Sequence, residues 1–266
     1  MIEFVLIGIG TGNPEHLTRE ASEAIRNADL ILLPLKGGER ASLAALRHRI
    51  IVAETNAKSV ESTSESPKVI EFLLPDRDPA VIDYHERVEQ WHNGIADVWE
   101  RTIREHSATQ SGTVALLIWG DPSLYDSSLR IVDRLKQRLP LSCRVIPGIT
   151  AIQALCAAHA ITLNTVGEPV LITTGRKLID EGWPEDINTV VVMLDGNCAF
   201  TKLAKPNLHI WWGAYVAMEE ELLMSGPLDT VADDIVECRA EAREKHGWVM
   251  DIYLLRAHVP LCSSNI

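Results

Sequence analysis

Cysteine is sparse in this chain and never paired in sequence. Cys143, Cys156, Cys198, Cys238 and Cys262 are scattered, with no Cys-x-x-Cys and no mixed Cys/His cluster. That spacing excludes a disulfide framework and a structural zinc site. The thiols read as reduced packing residues of a cytoplasmic protein, and no metal is expected. No apolar run reaches the length of a membrane-spanning helix. The opening MIEFVLIGIGTG lacks a basic n-region and a small-residue cleavage site, so it reads as a strand and not as a signal peptide. Positive charge is short: 25 Lys and Arg against 37 Asp and Glu leave a formal charge of -12. A general nucleic-acid binder needs the opposite balance, whereas a local basic pocket for an anionic small molecule is compatible with it. No glycine loop carries the Lys-Ser/Thr of a P-loop, which disfavours nucleotide hydrolysis, and no Gly-x-Ser-x-Gly elbow exists. Solenoid-type repeats and low-complexity tracts are also missing.

What is present is a globular chain of alternating strands and helices. Hydrophobic residues make up 46% and charged residues 23%, so 266 residues hold one large domain or two moderate ones. Residues 114–118, VALLI, are apolar without alternation, as in a strand buried on both faces of a parallel sheet. Trp119-Gly120-Asp121-Pro122 ends that strand, and Ser127 is placed to cap the amphipathic helix that follows. Further strands are read at residues 4–9, 30–33 (stopped by Pro34), 69–74 and 144–146. Helices are read at residues 18–28 and 42–52. A long one has Tyr84, Val88, Trp91, Ile95, Trp99 and Ile103 at helical spacing. His85 and His92 on that helix are seven apart, too far for a compact metal pair, and read as surface or interface histidines. Beyond Pro147 the strands at 170–175, 189–194, 208–212, 221–228 and 249–255 alternate with short helical candidates at 198–204 and 230–244. The expected architecture is α/β in two domains: 1–146 with a mostly parallel sheet, and 147–266 with a mixed sheet and a cleft between them.

Strand-end loops carry the ligands of open α/β sheets, although such loops also close ordinary βα units. Gly8-x-Gly10-x-Gly12 resembles a dinucleotide fingerprint, but Asn13 stands where the third glycine belongs and Pro14 follows. It is weak evidence for a nicotinamide cofactor and good evidence for backbone brought close to something. Lys36 and Arg40 follow the second strand, where solvated surface is the competing reading.

Four motifs then occur in a characteristic order. They are Gly8-x-Gly10-Thr11-Gly12-Asn13-Pro14-x-x-Leu17-Thr18, Ala28-Asp29, Trp119-Gly120-Asp121-Pro122 and Pro147-Gly148-Ile149-Thr150. Over nearly its whole length the chain resembles the tetrapyrrole (corrin/porphyrin) methyltransferases, which use S-adenosylmethionine. Thr11 stands where most members have Pro and Trp119 where many have Gly. With Leu35-Lys36-Gly37, the Ser123-Leu124-Tyr125-Asp126-Ser127 continuation and the aromatic helix, the chain is similar to one branch. That branch methylates carbon 1 of precorrin-5 in cobalamin biosynthesis and releases the extruded acetyl group as acetate.

The resemblance implies S-adenosyl-L-methionine folded in the cleft, leaving as S-adenosyl-L-homocysteine. By motif its contacts are Thr11, Trp119, Gly120, Asp121, Leu124, Thr150, Ala151, Met193 and Leu194, with Trp212-Gly213-Ala214 a further candidate. It also implies a homodimer. A sulfonium cofactor has no phosphate, in keeping with the missing P-loop. Asp121 competes between the cofactor ammonium and capping its own turn, and Thr150 between the cofactor and a helix N-cap. Methyl transfer relies on alignment. Deacetylation needs a base for water and a donor for the oxyanion, for which Asp121 or Asp126 and Tyr125 of the central loop are named. Arg19, Lys36, Arg40, Arg77 and Arg130 are the candidates for the carboxylates of the anionic tetrapyrrole. Methylation at another ring carbon, a nicotinamide-dependent oxidoreductase and a non-catalytic tetrapyrrole carrier are the rivals.

Overall fold

The computed structural model describes residues 1–35, 41–56, 66–106 and 111–257. Lys36, Arg40 and Cys262 lie outside them, as do the side chains of Ala41 and Ser42. The chain divides into two compact units, Met1–Thr150 and Ala151–Ile266.

In the first unit β1 (Ile2–Gly8), β2 (Leu30–Leu35), β3 (Lys68–Leu73), β4 (Gly112–Ile118) and β5 (Leu141–Ile146) form one sheet in the order β3-β2-β4-β1-β5. Every pairing is parallel. The unbroken apolar runs follow from burial on both faces. Along β1 and β4, Phe4, Leu6, Val114, Leu116 and Ile118 join one core. Val5, Ile7, Ala115 and Leu117 join the other. The first core is covered by α3 (Tyr84–His106) and α4 (Ser128–Lys136), with Phe4 stacked on Trp99 at 5.5 Å between centroids. The second is covered by α1 (Arg19–Asn27) and α2 (Ala41–Asn56).

Local chemistry explains where the boundaries depart from expectation. β2 runs through Pro34 to Leu35 and does not stop there. It pairs with β4 only over Leu30–Leu32 and with β3 over its whole length, so the missing N–H of Pro34 falls beyond the β4 ladder. Ser127 makes no capping bond; Asp126 Oδ1 accepts from the Ser128 amide at 2.6 Å instead. His92 is not a surface residue: it is 2% exposed, packed on the core side of α3 one turn before Ile95 and Ala96. Neither of its ring nitrogens has a partner among the described residues.

The second unit holds β6 (Val170–Thr174), β7 (Thr189–Met193), β8 (Leu208–Ala214), β9 (Leu222–Pro227) and β10 (Asp251–Ala257), in the order β6-β7-β10-β8-β9. β6 and β7 are parallel and the other pairings antiparallel, so this sheet is mixed. α5 (Ala151–Ala158) packs on β8 and β10, and α7 (Leu228–His246) on β8 and β9. The helical candidate at 198–204 is only a short 3-10 turn, Ala199–Lys202. A short helix that the sequence pattern does not announce, α6 (Gly175–Glu181), starts at Thr174, whose hydroxyl accepts from the Lys177 amide. Among the described residues no helix is long and apolar enough to cross a membrane.

All-parallel pairing sends every strand-end loop of the first unit to one edge, and there three backbone segments meet. A Cβ added at Gly148 would lie 2.1 Å from Gly120 O and 2.8 Å from Gly8 C. Both neighbours are backbone, so neither can swing away. Gly148→Ala is therefore expected to destabilise the first unit by about 1–3 kcal/mol or more. Gly94, by contrast, lies inside α3, where a Cβ would make ordinary van der Waals contact with Pro75 at 3.5 Å, so Gly94→Ala is expected to stabilise by about 0.5–1 kcal/mol through helix propensity. Urea denaturation of the two variants checks both signs, and a Gly148→Ala midpoint equal to the parent would refute the close approach.

Candidate active site

The order β3-β2-β4-β1-β5 places a topological switch between β1 and β4. From β1 the chain crosses by α1, on one face, toward β2; from β4 it crosses by α4, on the other, toward β5. Loops diverging from such a point leave a crevice at the carboxyl ends of the strands. Here the two loops are tied where they leave the sheet. Gly120 N donates to Gly10 O at 2.7 Å and Gly10 N to Gly120 O at 3.3 Å, an isolated antiparallel bridge. Both glycines have positive φ, 72° and 62°.

Asp121 fastens the third segment. Its Oδ2 accepts from Gly148 N at 2.9 Å, and its Oδ1 accepts from Ser123 N at 2.8 Å and from the Ser123 hydroxyl. Burial works to raise this carboxyl's pKa, but the Ser123 and Gly148 hydrogen bonds outweigh it and hold the group below the usual carboxylate range. The carboxylate caps its own turn and clamps the Pro-Gly turn. Asn13, the residue that breaks the dinucleotide pattern, plays a comparable local part. Its Oδ1 accepts from Glu15 N at 2.9 Å and caps the 3-10 turn Pro14–His16. Thr11 is buried, with its hydroxyl 3.2 Å from His16 Nδ1.

After Asp121 the loop turns outward. Tyr125 has φ 51° and is 44% exposed, unusual for an aromatic residue in a left-handed conformation. Asp126 commits one oxygen to Ser128 N. Thr150 Cα lies 3.8 Å from where a Cβ of Gly120 would be, immediately before Ala151 opens α5. Trp119 is half-buried and its indole Nε1 is buried without a partner among the described residues. An unpaired buried donor suits a ligand that brings a hydrogen-bond acceptor.

Sequence reasoning passed over one cation at this edge. Arg47, in the second turn of α2, places its guanidinium 5.2 Å from the Trp119 ring centroid, and its Nε donates to Leu117 O at 3.2 Å. Burial lowers its pKa to about 10, partly offset by Asp126. Arg47 sits in an Arg-His-Arg run that gives no sign of which cation turns inward. Of the cations named from sequence, Arg19, Arg77 and Arg130 share the edge. Arg19 is exposed at the start of α1, Arg77 stacks on Trp91 at 4.3 Å, and Arg130 donates to Asp126 O at 3.1 Å.

In the second unit Met193 ends β7, and Leu194 follows with φ 54° and 67% exposure. The buried Asp195 fixes that turn by accepting from Ala199 N (2.6 Å), Asn197 N (2.9 Å) and the Tyr253 hydroxyl (2.6 Å). Burial, reinforced by the Asp195 charge, pushes the Tyr253 phenol far up, so it stays protonated as a donor. Trp212 and Ala214 are core residues, with Trp212 Nε1 donating to Asp251 Oδ2 at 3.1 Å. A cavity of about 790 Å³ lined by Leu178, Trp183, Lys202 and Ala257 opens at the opposite strand ends from Met193 and contains none of the motif residues. Among the described residues no cluster of three or more His, Cys, Asp or Glu is arranged to hold a metal.

The Tetrapyrrole (Corrin/Porphyrin) Methylases profile matches residues 3–232. A precorrin-6A synthase [deacetylating] from Sinorhizobium sp is 46% identical over 258 residues, covering 96% of this chain and 95% of the relative. Among solved structures, one described as cobalamin synthesis related (CobF) from Corynebacterium diphtheriae superposes with a TM-score of 0.81 at 37% identity, covering 96% of this chain and 98% of that one. A Thermus thermophilus uroporphyrin-III C-methyltransferase complexed with S-adenosyl homocysteine shares the fold, with a TM-score of 0.56 at 19% identity over 96% and 97% of the two chains. With the profile spanning most of its length and a relative this similar end to end, the chain belongs to the tetrapyrrole (corrin/porphyrin) methylase family.

Proposed function

We propose that this chain is a precorrin-6A synthase of the deacetylating kind. It transfers a methyl group from S-adenosyl-L-methionine to carbon 1 of precorrin-5 and releases the extruded acetyl group as acetate. The observation that carries the reading is the 46% identity with the Sinorhizobium precorrin-6A synthase across nearly the full length of both chains. The family uses S-adenosylmethionine, and the orphaned Trp119 indole N–H is in keeping with such a ligand. The cytoplasmic homodimer expected from the cysteine pattern and the family belongs to the same proposal, as does a reaction without a metal.

When bound, the cofactor supplies an electrophilic methyl on sulfur. The residues then have to hold donor and acceptor in line, which needs rigidity and no strong base. Asp121 provides that rigidity by locking the 119–123 loop to Gly148, while backbone groups of Gly120 and Thr150, and Leu124 and Ala151, contact the cofactor. The family resemblance also names Met193 and Leu194, at the end of β7, as contacts. Deacetylation falls to the outward part of the loop. Asp126 takes a proton from the water that adds to the acetyl carbonyl, and Tyr125 donates to the developing oxyanion. The carbon–carbon bond then breaks, its electron pair passing into the macrocycle as acetate leaves. Asp121 already spends its carboxylate on three donors, so Asp126, with one oxygen uncommitted to its own turn, is the better base.

Incubation with precorrin-5 and methyl-labelled cofactor is expected to yield a product that has gained one methyl and lost one acetyl by mass. Methyl gain with the acetyl retained would move the reaction to another ring carbon. NADH binding without S-adenosylhomocysteine binding would favour an oxidoreductase. Tyr125→Phe should slow acetate release by about a hundredfold, and the role is dropped if acetate appears at the parent rate. Asp121→Asn should lose about 1.5–3 kcal/mol of stability and weaken S-adenosylhomocysteine binding. Because its folded pKa is depressed, that contribution is fully present above the unfolded value, about 4, and disappears as pH falls through the folded one. Denaturation curves of parent and variant should therefore converge in acid and separate near neutrality.

A further inference from the structure

Several arginines described in this molecule have an evident structural role. Arg26, Arg104, Arg134, Arg138 and Arg144 pair with carboxylates at or near the surface, and Arg239 forms a buried pair with Asp251. Arg47 differs. Among the described residues it has no ion pair, and the hydrogen bond it makes uses a single N–H, to Leu117 O. That carbonyl is available because of how the sheet frays. Ile118 O accepts from Ile9 N on the β1 side, so Leu117 O points toward β2, and the β2–β4 ladder has already ended at Leu32 and Leu116. The guanidinium thus sits in the notch where β2 and β4 part, at the carboxyl edge, with the Trp119 ring beside it. A partly buried guanidinium with no ion pair among the described residues is costly to the folded chain, and burial accordingly lowers its pKa.

We infer that Arg47 is a carboxylate-docking residue for the tetrapyrrole, receiving one rim carboxylate in the notch between β2 and β4 while the Trp119 ring orients its guanidinium plane. This rests on the function proposed above and adds to it a named recognition residue. Three features support it. The Nε–H···O=C bond and the ring contact fix the guanidinium, and among the described residues its two terminal nitrogens have no hydrogen-bond partner, so they can meet a bidentate carboxylate. The one described carboxylate that acts on it electrostatically, Asp126, is the proposed base of the deacetylation step and forms no ion pair with it. A docked carboxylate would therefore lie in the same field as the reacting acetyl group. Lastly, Arg47 shares the carboxyl edge with the glycine loops.

The experiment compares parent, Arg47→Gln and Arg47→Lys in two titrations: S-adenosylhomocysteine, and uroporphyrin III as an octacarboxylate tetrapyrrole probe. Gln retains a donor for Leu117 O, so loss of the notch is not built into the variant. The inference expects Arg47→Gln to weaken the porphyrin at least about tenfold, with S-adenosylhomocysteine within about twofold and a flatter dependence on salt. Arg47→Lys should recover part of the porphyrin affinity, since a point charge replaces a bidentate fork. Unchanged porphyrin binding overturns the inference, and so does equal weakening of both ligands, which marks a structural role. Selective loss of S-adenosylhomocysteine also overturns it, giving Arg47 to the methionine carboxylate instead. Parent protein that binds S-adenosylhomocysteine but no porphyrin overturns the inference and leaves the methyl-donor reading standing. Parent protein that binds neither fails the proposed function itself.

Discussion

The first unit depends on the close approach of three stretches of backbone where β1, β4 and β5 end. β1 lies between β4 and β5, paired in parallel with both, so their carboxyl ends must come together. Gly8 and Gly148 approach within distances that a side chain would forbid, and Gly120 joins the β1 loop through paired amides. Asp121 converts that approach into a fixed arrangement, because one carboxylate ties its own turn and the turn after β5 at once. At this meeting point the edge is formed by peptide groups, with Trp119 and Arg47 beside it. Such a surface recognises a ligand by shape and hydrogen bonding.

The second unit solves a similar problem by different means. The turn after β7 carries Leu194 in a left-handed conformation, and the buried Asp195 holds it by accepting two backbone amides and the Tyr253 hydroxyl. Arg239 strengthens the network by donating to Asp195 O and pairing with Asp251. A buried carboxylate is tolerable only when satisfied in this way. In each unit an aspartate just past a strand end spends itself on geometry, and the neighbouring residues are left to face outward.

Much of this was legible in the sequence. Unbroken apolar runs such as 114–118 announced a sheet buried on both faces, and the parallel first sheet and mixed second sheet followed from strand spacing and the four ordered motifs. Less legible were features that depend on what stands next door. Pro34 looked like a strand terminator because the ladder's end at Leu32 is a property of β4, not of β2. Ser127 looked like a cap because it is a good one; instead its hydroxyl accepts from the Arg130 side chain, and Asp126 accepts from the Ser128 amide. His92 looked exposed because a lone histidine usually is, whereas packing draws it into the core. Arg47 was invisible for the same reason: nothing in a helix of mixed arginines and alanines tells which guanidinium will find a frayed strand and an indole.

The central claim is that the edge where Gly8, Gly120 and Gly148 meet receives the methyl donor. Amide hydrogen exchange with and without S-adenosylhomocysteine tests it most directly. The account predicts slowed exchange in the turns around residues 8–12, 119–126 and 147–150. Protection centred instead on the cavity beside Trp183 and Lys202, with those turns unaffected, would contradict it.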